Sequence, residues 1–332
     1  MSNTCEADEL PQNRLSVNQK AWHLAKKLLE SPEEYGVVVK ETKYGIIIDA
    51  GIEARGGFQA GKIITEICLG GYGEATITST KYDDLTLPSI LVQTNYPAMS
   101  TLGSQFADWQ IKVGDYSAIG SGPARALIRK NRKLYEEISY EDKSDVAVLV
   151  LETSKEPPES VMAQIVQDCK VKPDQLLVIL VPTSSVAGLT QVSGRIVETG
   201  LHKLMKLGLD PKLALHGFGS VPIAPVHPKF AQAMGRSNDA IMYMGEASFN
   251  ISGFKDDGKL RKIVEEAPSS SSKSYGRPFI QIFKEAKCDF YKIDPNLFAP
   301  AVITLNNIET GNILKAGKIN LEVFKRSIGL PM

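Results

Sequence analysis

The chain has 332 residues, with 38 lysines and arginines balanced by 38 aspartates and glutamates, so its formal net charge is zero. No long run of one sign occurs, which removes the electrostatic footprint of a wholesale nucleic-acid or anionic-membrane binder. The length is about twice that of a usual single domain, enough for two α/β domains or one large α/β unit.

Cys5, Cys68, Cys169 and Cys288 are scattered without CxxC spacing, as reduced thiols are and as a disulfide framework is not. No apolar run approaches the roughly 20 residues of a membrane span. The start, MSNTCEADELPQNR, is polar and acidic where a secretory signal is basic and then apolar. The expectation is a soluble cytoplasmic protein with neither a membrane nor a nucleic-acid partner.

Residues 1–14 carry little apolar content and read as a flexible tail. SVNQKAWHLAKKLLESPEEYG then predicts a helix, with Ser16 as its cap and Val17, Ala21, Leu24, Leu28 and Leu29 as an apolar stripe. VVVK and YGIIIDAG are strands around an ETK turn, GGFQAGKIITEICLGG is a helix between glycines, and GEATITST is a strand. DVAVLVLE, PPESVMAQIVQDCK, LLVILV and GRIVETGLHKLMKLG alternate strand and helix, the pattern of a second α/β layer.

Beyond Gly217, GFGSVPIAPVHP reads as irregular backbone of the kind that lines a cleft, and AIMYMGEASFNISG reads as a strand. SSSSKSYG reads as a flexible loop before a helix at PFIQIFKEAK. Two apolar runs around Glu309-Thr310-Gly311 mark a closing hairpin. The expected class is mixed α/β (α+β), with two α/β domains packed around a central cleft. The first spans 15–140 and the second 141–332, with a C-terminal segment able to pack back on the first.

QVSGRIVET, residues 191–199, places Arg195 and Glu198 one helical turn apart, just after the buried strand LLVILV and the small-residue loop PTSSVAGLT. Such loops at the carboxyl ends of strands are where open α/β sheets bind ligands. A carboxylate steered by a guanidinium can deprotonate water. On a helical wheel, however, Arg195, Glu198, His202 and Lys206 fall opposite the apolar Val192, Ile196, Val197, Leu201 and Leu204, which predicts a solvated face. An exposed pair of this kind contributes only about 0.2–0.5 kcal/mol, and acid after base is the weaker order, so stability is not its obvious purpose.

Other segments carry candidate ligand groups. GSGPARA, Gly120 to Ala126, combines permissive glycines, a turn proline and Arg125, the ingredients of an anion cradle, although such turns are mostly structural. LGSQFADWQIKV offers Ser104, Gln105 and Lys112 as polar groups, with Trp109 equally suited to the core. RSNDA supplies Asn238 and Asp239, helix caps or acceptors for a ligand amino group. DFYKIDPNLFAP supplies Asp294 and Phe298 in a turn whose aromatic residues can wall a pocket for a planar ring. His23, His202, His216 and His227 lack metal-ligand spacing, and LGGYG lacks the spacing of a dinucleotide fingerprint.

LGSQFADWQ, GSGPARA, QVSGRIVET, AMGRSNDAIMYMG and DFYKIDPNLFAP occur in one order, and with them the chain resembles the methenyltetrahydromethanopterin cyclohydrolases from about Ser16 to the C-terminus. The resemblance implies reversible hydrolysis of 5,10-methenyl-tetrahydromethanopterin to the 5-formyl compound, in the one-carbon metabolism of methanogenesis or formaldehyde oxidation. It implies Arg195 and Glu198 as the catalytic pair, with Lys112, Ser104, Gln105, Arg125, Gln191, Asn238, Asp239, Asp294 and Phe298 binding the pterin. It further implies a homotrimer with no cofactor and no metal, the carrier being the substrate and already an electrophile. The carrier's phosphate makes Arg125 a candidate anion contact. Two features depart from the family pattern: the extra tail, and Ser274, where the likeness leads us to expect an acidic residue. A non-catalytic pterin-binding protein and a cyclohydrolase for a folate-type carrier are the alternatives.

Overall fold

The computed structural model of the chain describes residues 15–330, and the tail expected over residues 1–14 lies outside them. Twelve strands run along the described residues: β1 (Val38–Thr42), β2 (Gly45–Asp49), β3 (Gly73–Tyr82), β4 (Leu85–Thr94), β5 (Trp109–Val113), β6 (Tyr116–Ser121), β7 (Ala147–Glu152), β8 (Leu176–Leu180), β9 (Ala214–Pro222), β10 (Glu246–Ile251), β11 (Val302–Asn307) and β12 (Ile313–Gly317). They form two six-stranded sheets, ordered β1-β2-β8-β7-β6-β5 and β12-β11-β10-β9-β4-β3. With helices packed on both, the class is the mixed α/β that the sequence predicts. No helix of the described residues is long and apolar enough to cross a membrane.

The first sheet has a parallel centre, β2-β8-β7, because LLVIL and AVLVL are apolar on both faces and need cover on both. On one face Ile48, Val148, Val150, Leu177 and Ile179 meet the helices Val17–Glu30 and Phe58–Cys68. On the other, Leu149, Leu151, Val178 and Leu180 meet Val161, Met162 and Ile165 of the helix Glu159–Cys169. The Ser16 cap is formed, its side chain accepting from the Gln19 backbone N–H at 3.1 Å. Antiparallel β1 and β2 turn at Lys43 and Tyr44, the expected hairpin.

The second sheet is antiparallel except for the β10-β11 pair. Its inner face, with Ile90, Val92, Phe249, Ile251, Ile303 and Leu305, packs under the helices Ile196–Lys206, Phe230–Met244, Gly258–Glu266 and Leu321–Ile328. The outer face carries Gln93, Phe218, Ser248, Thr304 and Lys315 in one cross-strand row, the alternation of a sheet wet on one side.

Several sequence expectations need correction. GFGSVP is not irregular backbone: it lies in β9, where its glycines let the Ile196–Lys206 helix approach the sheet. A Cβ at Gly217 would lie 2.7 Å from Val197 Cγ1, and one at Gly219 2.7 Å from Ile196 Cγ2. AIMYM is helical, the end of Phe230–Met244, and only EASFNI is strand, so Asn238 and Asp239 sit in mid-helix and do not cap their own helix. SSSSKSYG is tied down, with Ser269 buried and donating to the Met242 carbonyl, and Ser272 donating to Asp294. The boundary at residue 140 is not a sheet boundary: β2 pairs with β8 across it, and β4 with β9.

Asp239 shows what mid-helix placement does to a carboxylate. It is fully buried, accepting from the Phe279 backbone N–H at 2.8 Å and from the Ser327 hydroxyl, so three helices meet on it. Burial pushes its pKa up to about 7 against the lowering by these two hydrogen bonds. A raised carboxylate pKa gives stability that is full below the unfolded value and is lost as pH rises through about 7. Asp239→Asn keeps an acceptor for Phe279 and should match or exceed the parent in urea unfolding at pH 8. Asp239→Ala should lose about 1–3 kcal/mol by orphaning that N–H.

Candidate functional site

Gln191 lies in the helix Val186–Ser193, which the Ser185 hydroxyl caps by accepting from Gly188 at 2.9 Å. After Gly194 the chain restarts as the helix Ile196–Lys206, with Arg195 at its N-cap position and Glu198 in its first turn. The Val192 to Leu207 stretch is therefore two helices, and its polar side is not solvated where it matters. Arg195 is 9% exposed and Glu198 6%, because that side faces the first sheet while Ile196, Val197 and Leu201 face the second.

The two terminal nitrogens of the Arg195 guanidinium are both engaged. One nitrogen donates to the Gln105 carbonyl at 2.6 Å, and the other to Ser121 Oγ at 2.8 Å and Gln191 Oε1 at 3.3 Å. The nearest Glu198 oxygen lies 3.6 Å away, an ion pair rather than a short hydrogen bond. Burial raises the Glu198 pKa to about 6, while Arg195 and then Arg125 hold it down and Asp108 adds a small push upward. The helix N-terminus also favours the anion at this position. A carboxylate so placed is charged at neutral pH and can still accept a proton.

Beside this pair the chain makes a π-helix, Ala98–Gln105, buried throughout. Such wide turns are rare and recur at functional sites. Ser104 Oγ donates to the Cys68 carbonyl at 2.6 Å, and Gln105 Nε2 to the Gly194 carbonyl at 3.1 Å. Arg125 is 2% exposed and donates to the carbonyls of Leu102 and Ser104, with Asp108 2.5 Å from its Nε. It is turned into the protein interior and does not present an anion cradle to solvent, although its Nη2 is buried without a hydrogen-bond partner. Phe106 lies between the Arg125 guanidinium, 5.6 Å from its ring, and the His202 ring at 4.7 Å. Burial, helped by Lys206, lowers the His202 pKa to about 4, so that ring is neutral.

Of the residues singled out in the sequence, Glu198, Arg195, Gln191, Gln105, Ser104 and Arg125 converge. The other five do not. Lys112 is exposed on edge strand β5, lining a cavity of about 170 Å³ with Lys130, Gln164 and Asp168. Asn238 bonds to Met234 of its own helix and Asp239 to Phe279 and Ser327. Asp294 accepts from the Asn296 N–H and from Ser272, forming a turn, and Phe298 packs on Phe279 and Phe290. Asn296 in that turn accepts from Lys203 at 2.6 Å, so the turn braces the Glu198 helix from behind. Among the described residues no group of three or more His, Cys, Asp or Glu side chains is placed to hold a metal ion.

A family model described as Cyclohydrolase (MCH) matches residues 16–328. The chain belongs to that cyclohydrolase family. A protein named methenyltetrahydromethanopterin cyclohydrolase from Methanocaldococcus jannaschii is 42% identical over 319 residues, covering 95% of this chain and 98% of its own. Relatives of the same name from Methanothermobacter marburgensis and Methanosarcina barkeri are 41% and 38% identical, each covering 95% of this chain and 100% and 99% of their own.

Within this cyclohydrolase chain, three of the segments singled out in the sequence meet around Glu198, and they bring in residues that the sequence reading did not name. Ser121 lies in GSGPARA, and Phe106 and Asp108 lie in LGSQFADWQ, yet nothing local shows that Ser121 meets an arginine 74 residues on. Cys68, one of the scattered thiols of the sequence, has its sulfur 3.9 Å from Ser121 Oγ. Burial raises its pKa, so it is an inert neighbour of the pair. In the native protein Cys288 should react with a disulfide reagent, while Cys68 and Cys169 should react only after unfolding, as peptide mapping of the modified thiols would read.

Proposed function

We propose that the protein hydrolyses 5,10-methenyl-tetrahydromethanopterin to 5-formyl-tetrahydromethanopterin, reversibly, with Glu198 as general base and Arg195 as its orienting cation. The relatives, named for methenyltetrahydromethanopterin, support the substrate. The observation that carries the chemistry is the Glu198 carboxylate, which burial raises to a pKa of about 6 against the opposing pull of Arg195. The bridge carbon between two nitrogens is cationic, so water attacks it once Glu198 removes a proton. A C–O bond forms and a neutral hydroxyl adduct results. The C–N bond to the leaving nitrogen then breaks as C=O forms. Protonated Glu198 gives its proton to that nitrogen, and the hydroxyl proton passes to solvent.

The substrate already carries the electrophilic charge, so we assign no metal and no cofactor to this reaction. The setting is a cytoplasmic homotrimer in one-carbon metabolism, in methanogenesis or formaldehyde oxidation. A light-scattering mass near three chains is expected, and one near a single chain rules the trimer out.

Turnover is followed by the loss of ultraviolet absorbance of the methenyl compound. Glu198→Gln should lose about 10²- to 10⁴-fold in kcat with substrate binding nearly intact. As a base Glu198 must be ionised, so kcat/KM should rise with pH through about 6 and level off above it. Removing the cation in Arg195→Ala should move that limb to higher pH and weaken binding. Parallel assays on methenyl-tetrahydrofolate separate the alternatives: preference for it points to a folate-type carrier, and binding without turnover of either compound to a carrier protein.

A further inference from the structure

Two arginines, 70 positions apart in the chain, grip neighbouring carbonyls at one end of the π-helix. Arg125 Nη1 donates to Leu102 O at 3.2 Å and Ser104 O at 3.1 Å, and Arg195 Nη1 to Gln105 O at 2.6 Å. The last carbonyls of any helix lack partners of their own and carry partial negative charge, so two cations there satisfy both needs. The Gly122 N–H also donates to Ser104 O at 3.0 Å, and its neighbour Ser121 accepts from Arg195 at 2.8 Å, so the same chain segment touches both grips. Arg125 is itself fixed by Asp108 at 2.5 Å and by the faces of Phe106 and Tyr135 at 5.6 and 6.0 Å.

We propose that Arg125 and Asp108 are a positioning pair for the hydrolytic reaction: they lock the π-helix end against which Arg195 is braced, and so fix where and in which charge state Glu198 stands. This rests on the reading of Glu198 as the base. Arg125 thereby acts through the protein and not on substrate phosphate. The charged groups that bear on the carboxylate are Arg195, Arg125 and Asp108, the first two favouring its anion and the third opposing it. The Cys68 thiol, raised in pKa, and the His202 ring, lowered to about 4, are both neutral and leave that balance to the three.

The test is the pH profile of kcat/KM on methenyl-tetrahydromethanopterin for full-length Arg125→Met, Arg125→Lys, Asp108→Asn and Glu198→Gln, each checked for folding by near-ultraviolet circular dichroism. Losing the Arg125 charge should move the acid limb up by about half a pH unit, and losing the Asp108 charge should move it down by about as much. At pH 5 these are about a threefold loss and a threefold gain against the parent. Arg125→Lys keeps the charge and should leave the limb in place while lowering kcat, because an ammonium lacks the planar fork that bonds the carbonyls through Nη1 and Asp108 through Nε at once. A purely structural role lowers the profile evenly without moving the limb, and that result overturns the proposal. Should Arg125→Met fail to fold, an unmoved limb in Asp108→Asn alone overturns it. An active Glu198→Gln would instead sink the underlying assignment of the base.

Discussion

The guanidinium of Arg195 joins the two halves of this molecule. It reaches Ser121 at the end of β6 in the first sheet, while the helix it begins lies on β9 and β10 of the second. Removing one partner of a buried ion pair typically costs about 3–5 kcal/mol, because the other charge is left without compensation. Here the loss extends further, since the carbonyl of Gln105 and the hydroxyl of Ser121 would lose a charged donor as well. The same contact therefore closes the layers together and sets the charge of the carboxylate beside it.

Much of the surrounding architecture serves to bring that guanidinium into place. The all-apolar strands β7 and β8 need helices on both faces, and the Val186–Ser193 helix that follows β8 packs on one of these, Phe58–Cys68. The glycines of β9 let the next helix lie close on the second sheet. The break at Gly194 between these two helices is thus the joint between the sheets, and Arg195 follows it directly. Behind the helix, Lys203 anchored on Asn296 keeps its far end from swinging away.

Conflict between stability and chemistry is concentrated at Glu198. Burial alone would favour the protonated form, and Arg195 at 3.6 Å restores enough anion to act near neutral pH. A direct short salt bridge would lower the pKa further and weaken the base. The guanidinium instead directs its short hydrogen bonds to carbonyl and hydroxyl oxygens, leaving the carboxylate charge-stabilised yet basic.

The sequence by itself determined the family, the mixed α/β class and most of the elements, because apolar periodicity and capping are local: the Ser16 cap, the β1-β2 hairpin and the buried β7 and β8 were all legible. It also placed Arg195 and Glu198 one turn apart. What it read wrongly were positions whose meaning depends on a distant partner. Glycines in β9 looked like loop residues, because no local pattern reveals a helix pressing on them. Asp239 looked like a cap or a ligand contact, and only folding shows it holding three helices. Tertiary structure alone turned a face that periodicity assigns to solvent into a buried site, since burial there is imposed by the first sheet and the π-helix, whose residues lie some 70 to 90 positions earlier in the chain.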